Sequence, residues 1–163
     1  VVWGGGPGGP PARSGGGARY GRRATPLGVV APDRWVSHRH WADRAVTTVG
    51  GPGSCIEGIG RPRVEPSFVP ELVDRMIAVP DAASLAAMRV LGERLGRRCG
   101  GSTGTNLWGC AVLFGELASL LCDPGERYLE SFFDDGWIRE RGLELAPWRE
   151  RVEAFFDRAE RLG

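Results

Sequence analysis

Among the 163 residues there is no lysine: all 21 cationic side chains of the lysine and arginine class are arginine. A guanidinium stays protonated and does not condense with an aldehyde. No side chain of this chain can therefore form an imine. The four cysteines (Cys55, Cys99, Cys110 and Cys122) make no C-x-x-C pair and no disulfide-like framework, so free thiols in a reducing cytoplasm are expected. No apolar run approaches the ~18 residues of a membrane span, and no signal-peptide pattern is present, so no membrane partner is expected. The formal net charge of +1 offers no field for nucleic acid or anionic membranes. His38 and His40 have no carboxylate or cysteine ligand at fitting spacing, so no metal site is expected. The chain opens at Val1 on an apolar pair that reads as the middle of something, not as a start.

What is present centres on Cys99-Gly-Gly-Ser-Thr-Gly-Thr-Asn-Leu-Trp108. A short strand over 97–100 is expected to run into small hydroxyl-bearing residues, with an apolar helical pattern directly behind. Ser102 or Thr103 is expected to cap that helix, leaving backbone N–H groups beside hydroxyls. Such a turn can hold an anion or the polar edge of a cofactor. It can equally be a well-capped helix start with no ligand.

Val1-Val-Trp3 followed by Gly4–Gly9 reads as a buried strand entering a glycine-rich turn. Gly4, Gly6 and Gly9 satisfy G-x-G-x-x-G formally, which says little in so glycine-rich a tract. The helix expected behind it is marginal, since the Gly15–Gly17 triplet costs about 3 kcal/mol relative to alanine. Leu27–Val30 is a second strand, ended by Pro32, with Asp33 about where an acidic residue meets a ribose in a dinucleotide fold. The proline-rich segment 56–70 is a long irregular loop of the kind that tends to carry function.

Arg75–Val79 is a third strand. Asp81 is expected to cap a helix with Leu85, Met88, Leu91 and Leu95 on one face, closed by Gly96. Behind the 99–108 turn, Leu107, Ala111 and Phe114 mark one helical side and Trp108 and Val112 a neighbouring one. Ser119–Cys122 reads as a further strand entering Asp123-Pro-Gly-Glu-Arg127 and another helical pattern. Pro147–Leu162 is amphipathic, with Trp148, Val152, Phe155, Phe156, Ala159 and Leu162 in one stripe and Pro147 at the first helical position. That stripe serves core packing or a partner. Short strands alternating with helices indicate an α/β domain with a mainly parallel sheet, whose ligands gather beyond the carboxyl ends of the strands.

Three stretches, Ile56-Glu-Gly-Ile-Gly-Arg-Pro-Arg-Val-Glu-Pro-Ser-Phe-Val-Pro70, Arg98–Gly109 and Gly125-Glu-Arg-Tyr-Leu129, resemble the C-terminal half of pyridoxal-phosphate enzymes of the cysteine synthase and cystathionine β-synthase group. The likeness is nearest the bacterial branch that includes cysteine desulfhydrases, and runs from Val1 to about Leu143. It implies a partial three-layer α/β fold, a mainly parallel sheet flanked by helices, as in the tryptophan synthase β-like fold but incomplete. Residues 1–145 form that portion in this reading, and 146–163 an amphipathic C-terminal helix outside it.

The resemblance places the phosphate loop, a G-T-G-G-T pattern in the family, on Gly6-Pro7-Gly8-Gly9-Pro10, so Gly6, Gly8 and Gly9 would bind the cofactor phosphate. Both threonines have become proline, each losing a hydroxyl and a backbone N–H. Losing two donors to a charged group costs about 3–6 kcal/mol, enough to turn a micromolar site millimolar. Gly58 and Gly60 match the segment near the substrate end of the cofactor, and Ser102 and Thr103 the second glycine–serine loop. The position that usually holds a serine near the pyridine nitrogen is Pro124 here. Between Glu116 and Leu120 the passage from helix to strand is shorter than in relatives. The N-terminal half, with the Schiff-base lysine, is absent from the 163 residues, so no catalytic residue is assigned.

The resemblance thus implies a truncated or degenerate pyridoxal-phosphate protein whose parent reaction is β-replacement or β-elimination on cysteine or O-acetylserine-type amino acids. A small amino acid would be the parent's substrate, and a homo- or hetero-oligomer is compatible with it. The alternative is a non-catalytic binding protein docking on an intact paralogue through the C-terminal helix. A nicotinamide-binding module rests only on the glycine pattern and Asp33.

Overall fold

A computed structural model describes residues 2–4, 26–60, 62–66, 68–113, 123–160 and 162. The phosphate-loop positions Gly6, Gly8 and Gly9, the marginal helix behind them, Phe114, Cys122 and the strand expected at Ser119–Cys122 lie outside those residues. The chain divides into two compact units, Val1–Val79 and Pro80–Gly163.

Among the described residues, the first unit has a parallel sheet of three strands in sequence order: β1 (Val2–Gly4), β2 (Gly28–Pro32) and β3 (Arg75–Val79). Val29 lies opposite Trp3 on one side and Met76 on the other. Central in the sheet, β2 is buried at all five positions, as a parallel strand covered on both faces should be. It extends through Pro32, which tolerates the end position because it need not donate there. Leu27, Val29 and Val73 form one core cluster with Trp41, Phe68, Leu72 and Met76. Ala31, Trp35 and Val36 form another with Val46, Val49, Val64 and Met76. Helix α1 (Val36–Ala42) brings both histidines into view, and His40 Nδ1 lies 2.9 Å from the Val46 carbonyl oxygen. That is a structural contact. Among the described residues no group of histidines, cysteines and carboxylates could hold a metal.

The described residues of the second unit are mainly helical. Its centre is α2 (Asp81–Leu95), against which α3 (Gly101–Leu113) and the C-terminal helix α5 (Ala146–Arg158) pack. Asp81 does not cap α2: Pro80 holds the cap position, Asp81 is already helical, and no side chain caps the end. Gly96 closes the helix with φ +63°, a conformation glycine adopts without a Cβ penalty. The buried surface of α2 is wider than the single face marked by Leu85, Met88, Leu91 and Leu95. Residues 81–88 are all buried, whereas Leu95 is 48% exposed. Four alanines (Ala82, Ala83, Ala86, Ala87) keep the helix slim, so it accepts neighbours on more than one side.

The last two helices complete the core. Short α4 (Asp135–Glu140) is capped by Asp134, whose carboxylate accepts from the Trp137 N–H at 2.6 Å. In α5, Val152 and Ala154 are buried and Trp148 meets Trp108 edge-on, ring centroids 5.3 Å apart. The C-terminal stripe is therefore used within its own unit. Ala159 is the exception: it has φ +54° at the helix end and is exposed.

Ion pairs lace the outside of this packing. Arg149 donates to both oxygens of Glu93, at 2.8 and 2.5 Å, and Arg94 reaches Asp157 at 2.6 Å. The hydrogen bond from Arg149 holds the Glu93 carboxyl below the usual carboxylate range. A depressed folded pKa stabilises the fold above the unfolded pKa, and the contribution is lost as pH falls through the folded value. Both side chains are well exposed, 40% and 55%, so solvent screening leaves about 0.2–1 kcal/mol. Glu93→Gln should therefore lower urea-unfolding stability by that small amount at neutral pH. In acid below the carboxylate range the two proteins should unfold alike.

Candidate functional site

Within the first unit, Gly58 and Gly60 belong to one tight turn. Ser54 Oγ accepts from the Ile56 N–H at 3.0 Å, and the Ile59 N–H donates to the Ile56 carbonyl at 3.4 Å. Ile56 and Ile59 are buried and anchor the turn. Gly58 and Gly60 have φ of +81° and +85°, which side-chain-bearing residues rarely adopt. Gly60 is also crowded: a Cβ there would overlap Ser54 Cβ and stand 3.3 Å from Pro32 Cγ, at the carboxyl end of β2. At Gly58 no atom of the described residues beyond its chain neighbours lies within 4 Å of that position. The turn thus lies by the carboxyl end of the central parallel strand, where ligands of such sheets bind.

Within the second unit, Ser102 and Thr103 lie in the first turn of α3, which begins at Gly101, so neither is the N-cap. Instead the Thr103 N–H donates to the Gly100 carbonyl at 3.1 Å. Ser102 Oγ donates to Asp123 Oδ1 at 3.3 Å, and the other oxygen of that carboxylate accepts from the Tyr128 hydroxyl. A Cβ on Gly100 would overlap the same carboxylate. Deeper in α3, Thr105 Oγ1 is 2.8 Å from Ser84 Oγ and 3.2 Å from the Gly101 carbonyl oxygen, joining α3 to α2.

The strand expected at 97–100 is a single antiparallel bridge, Cys99 with Pro124. Its two bonds run from the Gly100 N–H to the Asp123 carbonyl and from the Gly125 N–H to the Arg98 carbonyl, at 3.0 and 3.3 Å. Pro124 is the residue between the bonds, so its missing N–H costs nothing there. It leads a 3-10 turn, Gly125–Tyr128, and Gly125 has no room for a side chain, since a Cβ would stand 2.8 Å from Cys99 N. Cys99 is 1% exposed, and burial pushes its thiol up, which disfavours the thiolate.

These residues do not fit a covalently held aldehyde cofactor by themselves. No lysine exists among the 163 residues, Pro124 has no donor for a ring nitrogen, and the Ser102 hydroxyl is directed at a carboxylate. Asp123 and Tyr128 were not singled out as site residues from the sequence. The only available signal was Asp123 immediately before the Gly-Glu-Arg-Tyr motif, and nothing local shows that it reaches Ser102, 21 residues earlier.

No family model matches the chain. Among curated proteins it is 47% identical over 155 residues to L-cysteine desulfhydrase Cds1 of Mycobacterium tuberculosis, covering 90% of this chain and 42% of that protein. It is 34% identical over 116 residues to N-(2-amino-2-carboxyethyl)-L-glutamate synthase of Ralstonia nicotianae, covering 61% of this chain and 34% of that protein. A putative cysteine synthase of Sinorhizobium fredii is 31% identical over 77 residues, 44% of this chain and 23% of that protein. Among solved structures, O-ureido-L-serine synthase superposes with a TM-score of 0.65 at 22% identity, over 85% of this chain and 46% of that one. That likeness shows the fold, an α/β architecture with a parallel sheet. The chain spans about two-fifths of the desulfhydrase it matches. Over nine-tenths of its length it thus resembles part of the cysteine desulfhydrase and cysteine synthase group of pyridoxal-phosphate enzymes.

Proposed function

We propose that these 163 residues are the C-terminal portion of a pyridoxal-phosphate enzyme of the cysteine desulfhydrase type and do not catalyse by themselves. The observation that carries this reading is the 47% identity along nine-tenths of a chain that contains no lysine. In the parent reaction the β-substituent of cysteine or an O-acetylserine-type amino acid is eliminated or replaced. The cofactor would supply an electron sink for that chemistry, and a lysine would be needed to hold it. Such a lysine has to come from outside these residues. Within them, Gly58 and Gly60 would line the substrate end of the cofactor, Ser102 and Thr103 a second loop, and Gly6, Gly8 and Gly9 the phosphate loop.

Adding pyridoxal phosphate to the purified chain should leave the spectrum of the free aldehyde, with no borohydride-reducible adduct on any side chain. L-Cysteine should release no hydrogen sulfide. A side-chain adduct, or steady sulfide release, would overturn the proposal. In the alternative reading, a non-catalytic protein docking on an intact paralogue through the C-terminal helix, the contact would use the face of α5 opposite Trp148, Val152 and Ala154, which pack within the second unit.

A further inference from the structure

We propose that the cleft beside α5 binds a small free α-amino acid, whose carboxylate pairs with Arg151 and whose ammonium pairs with Glu150. The cleft lies within the second unit, has a volume of about 250 Å³ and is lined by Glu150, Arg151, Ala154, Arg158, Glu160 and Leu162. Sites for drug-sized ligands run to about 300–1,000 Å³, so the occupant here is small. The floor is apolar. Ala154 is 6% exposed, and after Ala159 (φ +54°) the chain turns back to place Leu162, 2% exposed, in the lining.

The charged rim divides into a closed pair and an open one. Arg158 donates to both oxygens of Glu160, at 2.5 and 3.3 Å, so these two neutralise each other. Arg94 and Arg149 are likewise held, by Asp157 and Glu93. The side chains of Glu150 and Arg151 hold no ion pair or hydrogen bond among the described residues. Adjacent positions on a helix do not face each other, so the two do not neutralise one another. Two rings place Arg151 instead: its Cζ lies 5.1 Å from the centroid of Trp108 and 5.5 Å from that of Trp148. Such contact holds a guanidinium by its face and leaves its in-plane N–H groups to an acceptor. An open cation beside an open anion, over a short apolar floor, matches a carboxylate and an ammonium on one carbon with a small apolar side chain. A plain anion would be repelled by Glu150, and a plain cation by Arg151.

The experiment titrates the isotope-labelled full chain with L-valine, read at the backbone amides of Ala154, Arg158 and Leu162. Saturable shifts are expected there. Valine without its amine (3-methylbutanoate) and valine without its carboxylate (2-methylpropylamine) should each bind about tenfold more weakly, or worse. Arg151→Gln and Glu150→Gln, both at exposed positions, should each weaken valine binding by a similar factor. Absence of saturation by valine would overturn the proposal. So would 3-methylbutanoate binding as tightly as valine, or folded variants that bind valine like the native chain. Should Arg151→Gln fail to fold, Glu150→Gln and the two shortened ligands still decide. No cofactor or turnover enters the readout, so the family reading stands or falls by its own test.

Discussion

Gly104→Ala is expected to destabilise the second unit by about 3 kcal/mol or more. Gly104 lies where α3 presses on α2, and an added methyl would overlap the Ser84 carbonyl oxygen. It would also stand 2.8 Å from Met88 N and 2.9 Å from Met88 Cβ. Two of the three obstructing atoms belong to the backbone of a helix buried at Ser84 and Met88, so no rotamer change relieves the contact. The helices must separate, which also breaks the Thr105–Ser84 hydroxyl contact. Removing helix-interior glycine would by itself favour alanine by ~1 kcal/mol. Steric overlap with buried backbone outweighs that gain. Urea unfolding followed by far-ultraviolet circular dichroism checks the result, and a variant as stable as the native chain would show that α2 and α3 are less closely apposed.

Phe132→Ala should cost about 3–5 kcal/mol, the range for removing a large buried ring. Phe132 is 1% exposed, stacked on Tyr128, and met edge-on by Trp137 at 5.6 Å between ring centroids. Its carbonyl accepts from Arg89 Nε of α2 at 2.8 Å, so the residue joins the segment before α4 to the central helix. The cavity would loosen Tyr128, the donor to Asp123, and so reach the Gly100–Thr103 turn. Thermal unfolding gives the size of the loss. Faster hydrogen exchange at Ser102 and Thr103 than that of Leu91 in α2 would show that it propagates as expected.

Much of the architecture was legible in the chain. The β-branched and apolar runs around Val29 and Ile77 are strands, and Arg75–Val79 has the expected bounds. Gly96 ends α2 because only a residue without Cβ takes its left-handed conformation freely. The helix ends at Asp81 and Ser102 are less legible, since both residues lie inside their helices. Both residue types favour caps, but each hydroxyl or carboxylate is decided by which backbone groups already have partners. The width of α2's buried face was hidden because alanine carries little periodic signal, although its size is what admits two neighbouring helices.

The chemistry divides in the same way. By itself the sequence determined that no imine can form on any side chain, since that follows from the absence of one residue type. It also carried the family likeness, because the motifs around Gly58, Ser102 and Gly125 are contiguous runs of residues. Only the tertiary structure decided that the hydroxyl-rich turn faces a carboxylate, because Asp123 and Ser102 meet across 21 residues through a two-bond bridge and two crowded glycines. Local pattern records what a turn offers. Which group arrives to accept it is set by long-range packing.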